Sequence, residues 1–385
     1  MTQMSKRSAV EPFHAMDVLA EATRRREAGH PVISMAVGQP VHPAPKAALE
    51  AARRALEDGR LGYTDALGTL SLKTAIAEDY QGRHGLVIDP QRIAVTTGSS
   101  AGFNLAFLAL FDPGDCVAIA RPGYPAYRNI MAALGLRAVE IEANAETGFT
   151  LTPESLERAA AEAGRPLRGV LLASPANPTG TVTGRARLKS LAEYCRAQSI
   201  AFISDEIYHG LTFAGEEATA LEVSDDVVVI NSFSKYYCMT GWRIGWMVLP
   251  ESQVRAFERI AQSLYISPPE LSQIAAEAAL GARQELDGYK RSYAANRDLL
   301  LKRLPEIGLS IASPMDGAFY AYVDVSRFTN DSMAFARRML AEINVAATPG
   351  HDFDPVEGHR AMRFSYAGSA EEMTEAMDRI ARWLK

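Results

Sequence analysis

Five short apolar runs constrain the fold of this chain more than any other feature. They are CVAIA at 116–120, GVLLA at 169–173, AFIS at 201–204, VVVINS at 227–232 and IGWMVL at 244–249. Each has strand length, and each is continuously apolar rather than alternating. That pattern belongs to strands buried on both faces, in a mostly parallel sheet covered by helices. Helical periodicity fills the intervals. Leu49, Ala52 and Leu56 fall at i, i+3 and i+7 between Pro45 and Gly59. Leu188, Leu191, Ala192 and Cys195 repeat the pattern. Ser369 and Glu372 form a capping-box pair ahead of Met373, Ala376, Met377, Ile380 and Leu384. Strands alternating with helices predict an α/β, doubly wound architecture.

The chain has 385 residues, and a single core stops growing at about 250–300. Two domains are therefore expected. A helical, charged stretch from about 268 to 304, with Pro268 and Pro269 before it and Pro305 after it, reads as the bridge between them. The division predicted is an N-terminal arm and part of the small domain at 1–45, a large domain at 46–285, and a small α+β domain at 286–385. The arm is expected to pack with the C-terminal part.

Charge and cysteine content exclude several functions. Forty Lys+Arg against 46 Asp+Glu leave a net charge of −6, which disfavours nonspecific binding to nucleic acid or to anionic membranes. Residues 93–111 carry no charge and are long enough to span a bilayer, yet the TTGSSAG content fits a strand, a turn and a buried helix. Cys116, Cys195 and Cys238 are scattered, with no CxxC or Cys/His cluster, so no disulfide framework or structural zinc is expected. The N-terminus lacks the apolar core of a secretory signal, and a cytoplasmic location fits. His351 and His359 flank HDFDPVEGH. That segment reads as a mobile, substrate-facing loop, and no metal is expected.

In open α/β sheets, ligands bind beyond the carboxyl ends of the strands. Three such ends carry unusual polar groups. SPANPTG brings Asn177, SDEIYHG brings Asp205 and Tyr208, and NSFSKYYCMTGWRIGW brings Ser232, Lys235 and Arg243. Singly, each has a structural reading, since Pro-flanked asparagines make turns and strand-end aspartates cap helices. Together, after three successive strands, they are specific. The sequence here resembles the pyridoxal-phosphate (PLP) aminotransferases of fold type I, class I/II, from VGQP near 37 to MRFSYAG near 362.

The resemblance implies roles. Lys235 looks like the lysine that forms an imine with the PLP aldehyde and then moves the proton at the substrate Cα. Asp205 matches the carboxylate that pairs with the pyridinium nitrogen. Asn177 and Tyr208 match the partners of the ring phenolic oxygen, and Tyr124 in RPGYPAY the aromatic stacked on the ring. Gly98, Ser99 and Ser100 match the phosphate loop, at the start of a helix whose amides suit an anion. Ser232 and Arg243 match its hydroxyl and guanidinium contacts. Tyr63 matches a tyrosine that reaches the neighbouring subunit's phosphate, which implies a homodimer with shared sites. Arg363 matches the clamp on the substrate α-carboxylate, and Gly38 the turn that closes over substrate. His209 reads as a structural neighbour of the site.

The resemblance implies an enzyme that moves an amino group from an L-amino acid to a 2-oxo acid such as 2-oxoglutarate or pyruvate. No Lys or Arg lies between Arg92 and Arg121, and Tyr124 stands where aspartate-specific relatives often carry Trp. A neutral or aromatic donor is therefore expected over aspartate. Two alternatives compete with this reading, of which the second is rejected. A PLP-dependent C–S β-lyase would use the same Lys235. A serine acyl hydrolase would use Ser232-x-x-Lys235, although its companion motifs are missing.

Overall fold

A computed structural model describes residues 4–385. The strands in chain order are β1 (Ile33–Met35), β2 (Ile93–Thr96), β3 (Cys116–Arg121), β4 (Arg137–Glu142), β5 (Leu167–Ala173), β6 (Ala201–Asp205), β7 (Val228–Ser232), β8 (Gly245–Val248), β9 (Ser310–Ile311), β10 (Tyr320–Asp324), β11 (Val345–Pro349) and β12 (Ala361–Ser365). Two sheets result. The larger has seven strands in the order β2-β8-β7-β6-β5-β3-β4. Its neighbours pair in parallel except at β8, which runs antiparallel to both β2 and β7.

Strands β2, β7 and β8 are buried along their whole length, as their unbroken apolar sequences demand. Apolar side chains from the two faces pack into separate clusters, one holding Val170, Leu172 and Phe202 and the other Leu171, Ile203 and Ile230. The uncharged segment at 93–111 becomes β2, a turn at Gly98 and the helix Ser99–Leu110. That helix is apolar on nearly every side because it is covered on nearly every side.

The smaller sheet has the order β1-β11-β12-β10-β9. It draws on both chain ends. β1 pairs in parallel with β11, and the remaining ladders are antiparallel. The expected dividing points, 45/46 and 285/286, lie outside both sheets.

The capping box before the last helix forms as read. Ser369 accepts from the Glu372 amide at 3.2 Å, and its own amide donates to the Glu372 carboxylate at 3.4 Å. The bridge differs from the single stretch expected. It is two helices, Glu270–Leu280 and Arg283–Glu306, separated at Gly281 and Ala282, and Pro305 lies inside the last turn of the second. The HDFDPVEGH segment also differs from a mobile loop. It folds into two 3-10 turns, Gly350–Asp352 and Gly358–Arg360, and Asp352 and Asp354 are buried. Their carboxylates are used internally, which fixes the segment.

Candidate active site

The carboxyl ends of β5, β6 and β7 open into one crevice. Gly38, Ser99, Ser100, Tyr124, Asn177, Asp205, Tyr208, Lys235, Arg243 and Arg363 all line it. Residues from three distant strand ends and from both chain termini therefore meet in one space. Three expected residues, Gly98, Ser232 and Tyr63, do not line it. Ser232 is buried behind the wall, where its hydroxyl donates to the Ile244 carbonyl at 3.1 Å, and Ser234 lines the crevice in its place. Tyr63 is 83% exposed on the surface. The position of Ser232 leaves the acyl-hydrolase alternative without an accessible nucleophile. His209 faces away from the crevice. Its ring is buried with Nδ1 3.4 Å from Glu206.

Lys235 is partly buried, and its Nζ donates to the Gly38 carbonyl at 2.7 Å. Burial brings its pKa down to about 8, helped by the positive charges of Arg363 and Arg243, while Asp205 opposes the shift. Asp205 ends β6 with 3% exposure. Burial raises its pKa to about 6, and hydrogen bonds from the Tyr127 hydroxyl and the Ile207 amide pull it back down. Tyr127 was not among the expected residues. It follows Tyr124 by three positions on the helix Pro125–Leu134, so both rings face the same side, 5.3 Å apart and edge to face. Burial raises the Tyr124 phenol to about 12. The Tyr208 hydroxyl meets Tyr320, a second residue the sequence did not single out, at 2.7 Å.

Arg363 on β12 is held on several sides. Its Nη1 donates to the Asn177 side-chain oxygen at 2.9 Å, and its Nη2 donates to the Ala36 carbonyl and to the Thr348 hydroxyl. Its guanidinium lies 4.2 Å from the Tyr320 ring centroid and 4.6 Å from that of Phe353. Its Nε is buried without a hydrogen-bond partner among the described residues. A buried, unpaired donor on a fixed guanidinium suits an incoming carboxylate.

The other end of the crevice suits an anion too. Gly98 caps the helix Ser99–Leu110 at φ 81°, with no side chain capping the first amides. A Cβ there would lie 2.5 Å from Arg243 Nη2. Glycine lets the guanidinium approach the helix start, where the amides and the helix dipole favour negative charge. Gly38 is constrained in the same way, since a Cβ there would fall on the Tyr320 hydroxyl.

The crevice thus combines an amine of lowered pKa, a buried carboxylate, a helix start suited to an anion and a guanidinium suited to a carboxylate, set on a two-sheet α/β fold. The family model "Aminotransferase class I and II" matches residues 30–380, and the chain belongs to that family. It is 48% identical over 386 residues to the valine–pyruvate aminotransferase of Mycobacterium tuberculosis, covering 99% of this chain and 98% of that protein. The crystal structure of an aminotransferase from Mycobacterium tuberculosis superposes with a TM-score of 0.95 at 48% identity, covering 100% and 99% of the two chains. Aspartate aminotransferase from Thermus thermophilus with maleate superposes at 0.92 and 34% identity, over 99% and 100%.

The protein is therefore a transaminase of fold type I, its cofactor is PLP, and its substrates are amino and 2-oxo acids. The residues present fit that cofactor. The uncapped amides after Gly98, with Arg243 beside them, can hold a phosphate; Asp205 can face a ring nitrogen; and Lys235 lines the same crevice as Arg363. Among the described residues, no helix is long and apolar enough to cross a membrane.

Proposed function

We propose that this transaminase moves the amino group of a neutral, apolar L-amino acid, a branched-chain one first, to pyruvate. The observation that carries this reading is the charge on the crevice wall. Among the described residues that line it, the cations are Lys235, Arg243 and Arg363. With Arg243 beside the anion cradle and Arg363 set for the shared α-carboxylate, no second guanidinium or ammonium remains for a side-chain carboxylate. Phe13, Ala15, Met16 and Val37 add apolar surface to the same lining. The likeness to a valine–pyruvate aminotransferase supports the same substrates.

When bound, PLP supplies an aldehyde that condenses with a primary amine and a ring that takes up the electron pair released at the donor Cα. Lys235 is the amine that carries it in this reading. At about pH 8 half of such groups are unprotonated, so Nζ is ready both to react and to accept a proton. With the cofactor in place, Nζ would take the proton from the donor Cα and give it up again, acting as base and then as acid. Asp205 would hold a proton at the ring nitrogen, and Tyr127 fixes that carboxylate. Arg363 orients the α-carboxylate through Nε and its neighbouring N–H groups, with Asn177 fixing the guanidinium plane. Asn177 and Tyr208 would hold the ring oxygen, and Tyr124 would pack on the ring. Closure of the small domain on the large one would exclude water.

In the same reading two copies share their sites through Tyr63, and the enzyme works in the cytoplasm. The exposure of the Tyr63 ring supports the first point.

A panel of donors mixed with the cofactor-loaded enzyme tests the proposal through the cofactor's spectral change. Valine and its homologues should bleach the band rapidly, and aspartate slowly. Rapid bleaching with aspartate and none with valine would overturn the reading. Pyruvate and ammonia released from a cysteine conjugate, without any 2-oxo acid, would favour the β-lyase instead.

A further inference from the structure

The helix His14–Glu27 starts without a side-chain cap of its own, because Phe13 at the cap position has no acceptor to offer. Its first amides are nonetheless paired, by a residue 337 positions away. His14 N donates to Asp352 Oδ1 at 3.0 Å, and Ala15 N donates to Asp352 Oδ2 at 2.6 Å. Asp352 is 2% exposed. A helix start is expected to fray if its orphan donors lose such a partner.

The turn that starts here builds the crevice. Phe13, Ala15 and Met16 all line it, and the Phe13 ring meets Tyr124 edge to face at 5.9 Å. The short segment around Asp352 also touches the other parts of the site. Phe353 lies under the Arg363 guanidinium. The Asp352 carbonyl accepts from Arg128 at 2.6 Å, the Phe353 carbonyl accepts from the Gly123 amide at 3.0 Å, and Asp354 pairs with Arg121 at 2.9 Å. One turn therefore links the clamp for the α-carboxylate, the strand end bearing Tyr124 and the helix start facing them.

We propose that Asp352 is a positioning residue for donor selectivity. By capping the helix it holds Phe13, Ala15 and Met16 at a fixed distance from Arg363, and so sets the space that the donor side chain occupies. This inference rests on the reading of the crevice as the site for a neutral donor. Asp352 itself touches neither donor nor cofactor in this account. It acts through two backbone amides, and the apolar wall follows them.

The test compares valine with alanine, which has only a methyl group to place against that wall. Kinetics of the cofactor-loaded Asp352→Ala enzyme should show the valine/alanine ratio of kcat/KM falling about tenfold, the effect of losing one helix cap. The change should appear as a raised KM for valine with kcat for alanine retained. Asp352→Asn keeps one of the two acceptors and turns the other into a donor, so it should restore only part of the ratio. Hydrogen exchange at the His14 and Ala15 amides should speed up in Asp352→Ala, and in Asp352→Asn only one of the two should stay protected. If Asp352→Ala does not fold, Phe13→Ala carries the test, with the same expected fall in the ratio. An unchanged ratio in folded, cofactor-loaded Asp352→Ala, or an equal loss for both donors, would overturn the inference. A wild-type enzyme that bleaches with neither donor would instead overturn the donor assignment.

Discussion

The Tyr127 hydroxyl donates a hydrogen bond to the Asp205 carboxylate, and both groups are buried. A hydrogen bond to the charged form of an acid stabilises that form. Here it offsets part of the burial that raises Asp205 to about 6. In Tyr127→Phe the carboxyl should rise further and spend more of its time neutral at pH 7, losing its hold on a ring proton. Hydrogen bonds to charged groups contribute about 1.5–3 kcal/mol, so kcat should fall roughly tenfold to a hundredfold. Steady-state kinetics with any accepted donor checks this, and an unchanged kcat would assign Tyr127 to packing alone.

Loading of the apoenzyme with PLP should depend on pH through Lys235. Its pKa is lowered to about 8 from an ordinary 10.5, so the reactive neutral amine grows in as pH rises through about 8. The loading rate should rise over the same range. Arg363→Gln removes one of the charges that lowers this pKa, so the midpoint should move upward. The sign for stability follows from the same shift. The unfolded chain binds a proton that the folded chain does not between about 8 and 10.5, so this group contributes increasing stability as pH rises through that window. A midpoint that moves downward in Arg363→Gln would contradict the electrostatic account.

Arg363→Lys should be a severe change although it keeps the charge. An ammonium cannot reproduce the planar guanidinium that spans Asn177, Ala36 and Thr348 and still offers Nε to a carboxylate. We expect kcat/KM to fall about a hundredfold for every donor, the loss of a buried charge-assisted pair, with PLP still bound. A loss confined to one donor would assign Arg363 to the side chain instead.

Gly98→Ala tests the anion cradle. The residue has φ 81° and ψ 167°, a region that is nearly glycine-only and costs about 1–3 kcal/mol for others. The added Cβ would also crowd Arg243 at 2.5 Å. Both PLP affinity and melting temperature should fall, read by dialysis and by thermal melts. Loss of melting temperature alone would separate the strain from the cradle.

Much of this site was legible because its chemistry lies in short segments at successive strand ends. Asn177, Asp205 and Lys235 each follow a buried apolar strand, and the fold converges strand ends by construction. Tyr127 was missed because a tyrosine three residues beyond Tyr124 reads equally well as helix packing. Phe13 and Met16 were missed because the helix that carries them has no local cap signal, and its partner Asp352 lies at the other end of the chain. The long bridge was read as one helix because Gly281 and Ala282 interrupt it without a proline. Pro305, taken as its end, is tolerated inside the last turn. Ser232 and Ser234 are two residues apart, and only packing decides which hydroxyl reaches the crevice.

The central claim is that Lys235 carries the cofactor. Borohydride reduction of the PLP-loaded enzyme, followed by peptide mapping, tests it most directly. The pyridoxyl group should be fixed on Lys235, in the peptide containing SFSKYY. Lys235→Ala should retain no label and no transaminase activity. A label fixed on another lysine, or full activity in Lys235→Ala, would contradict the account.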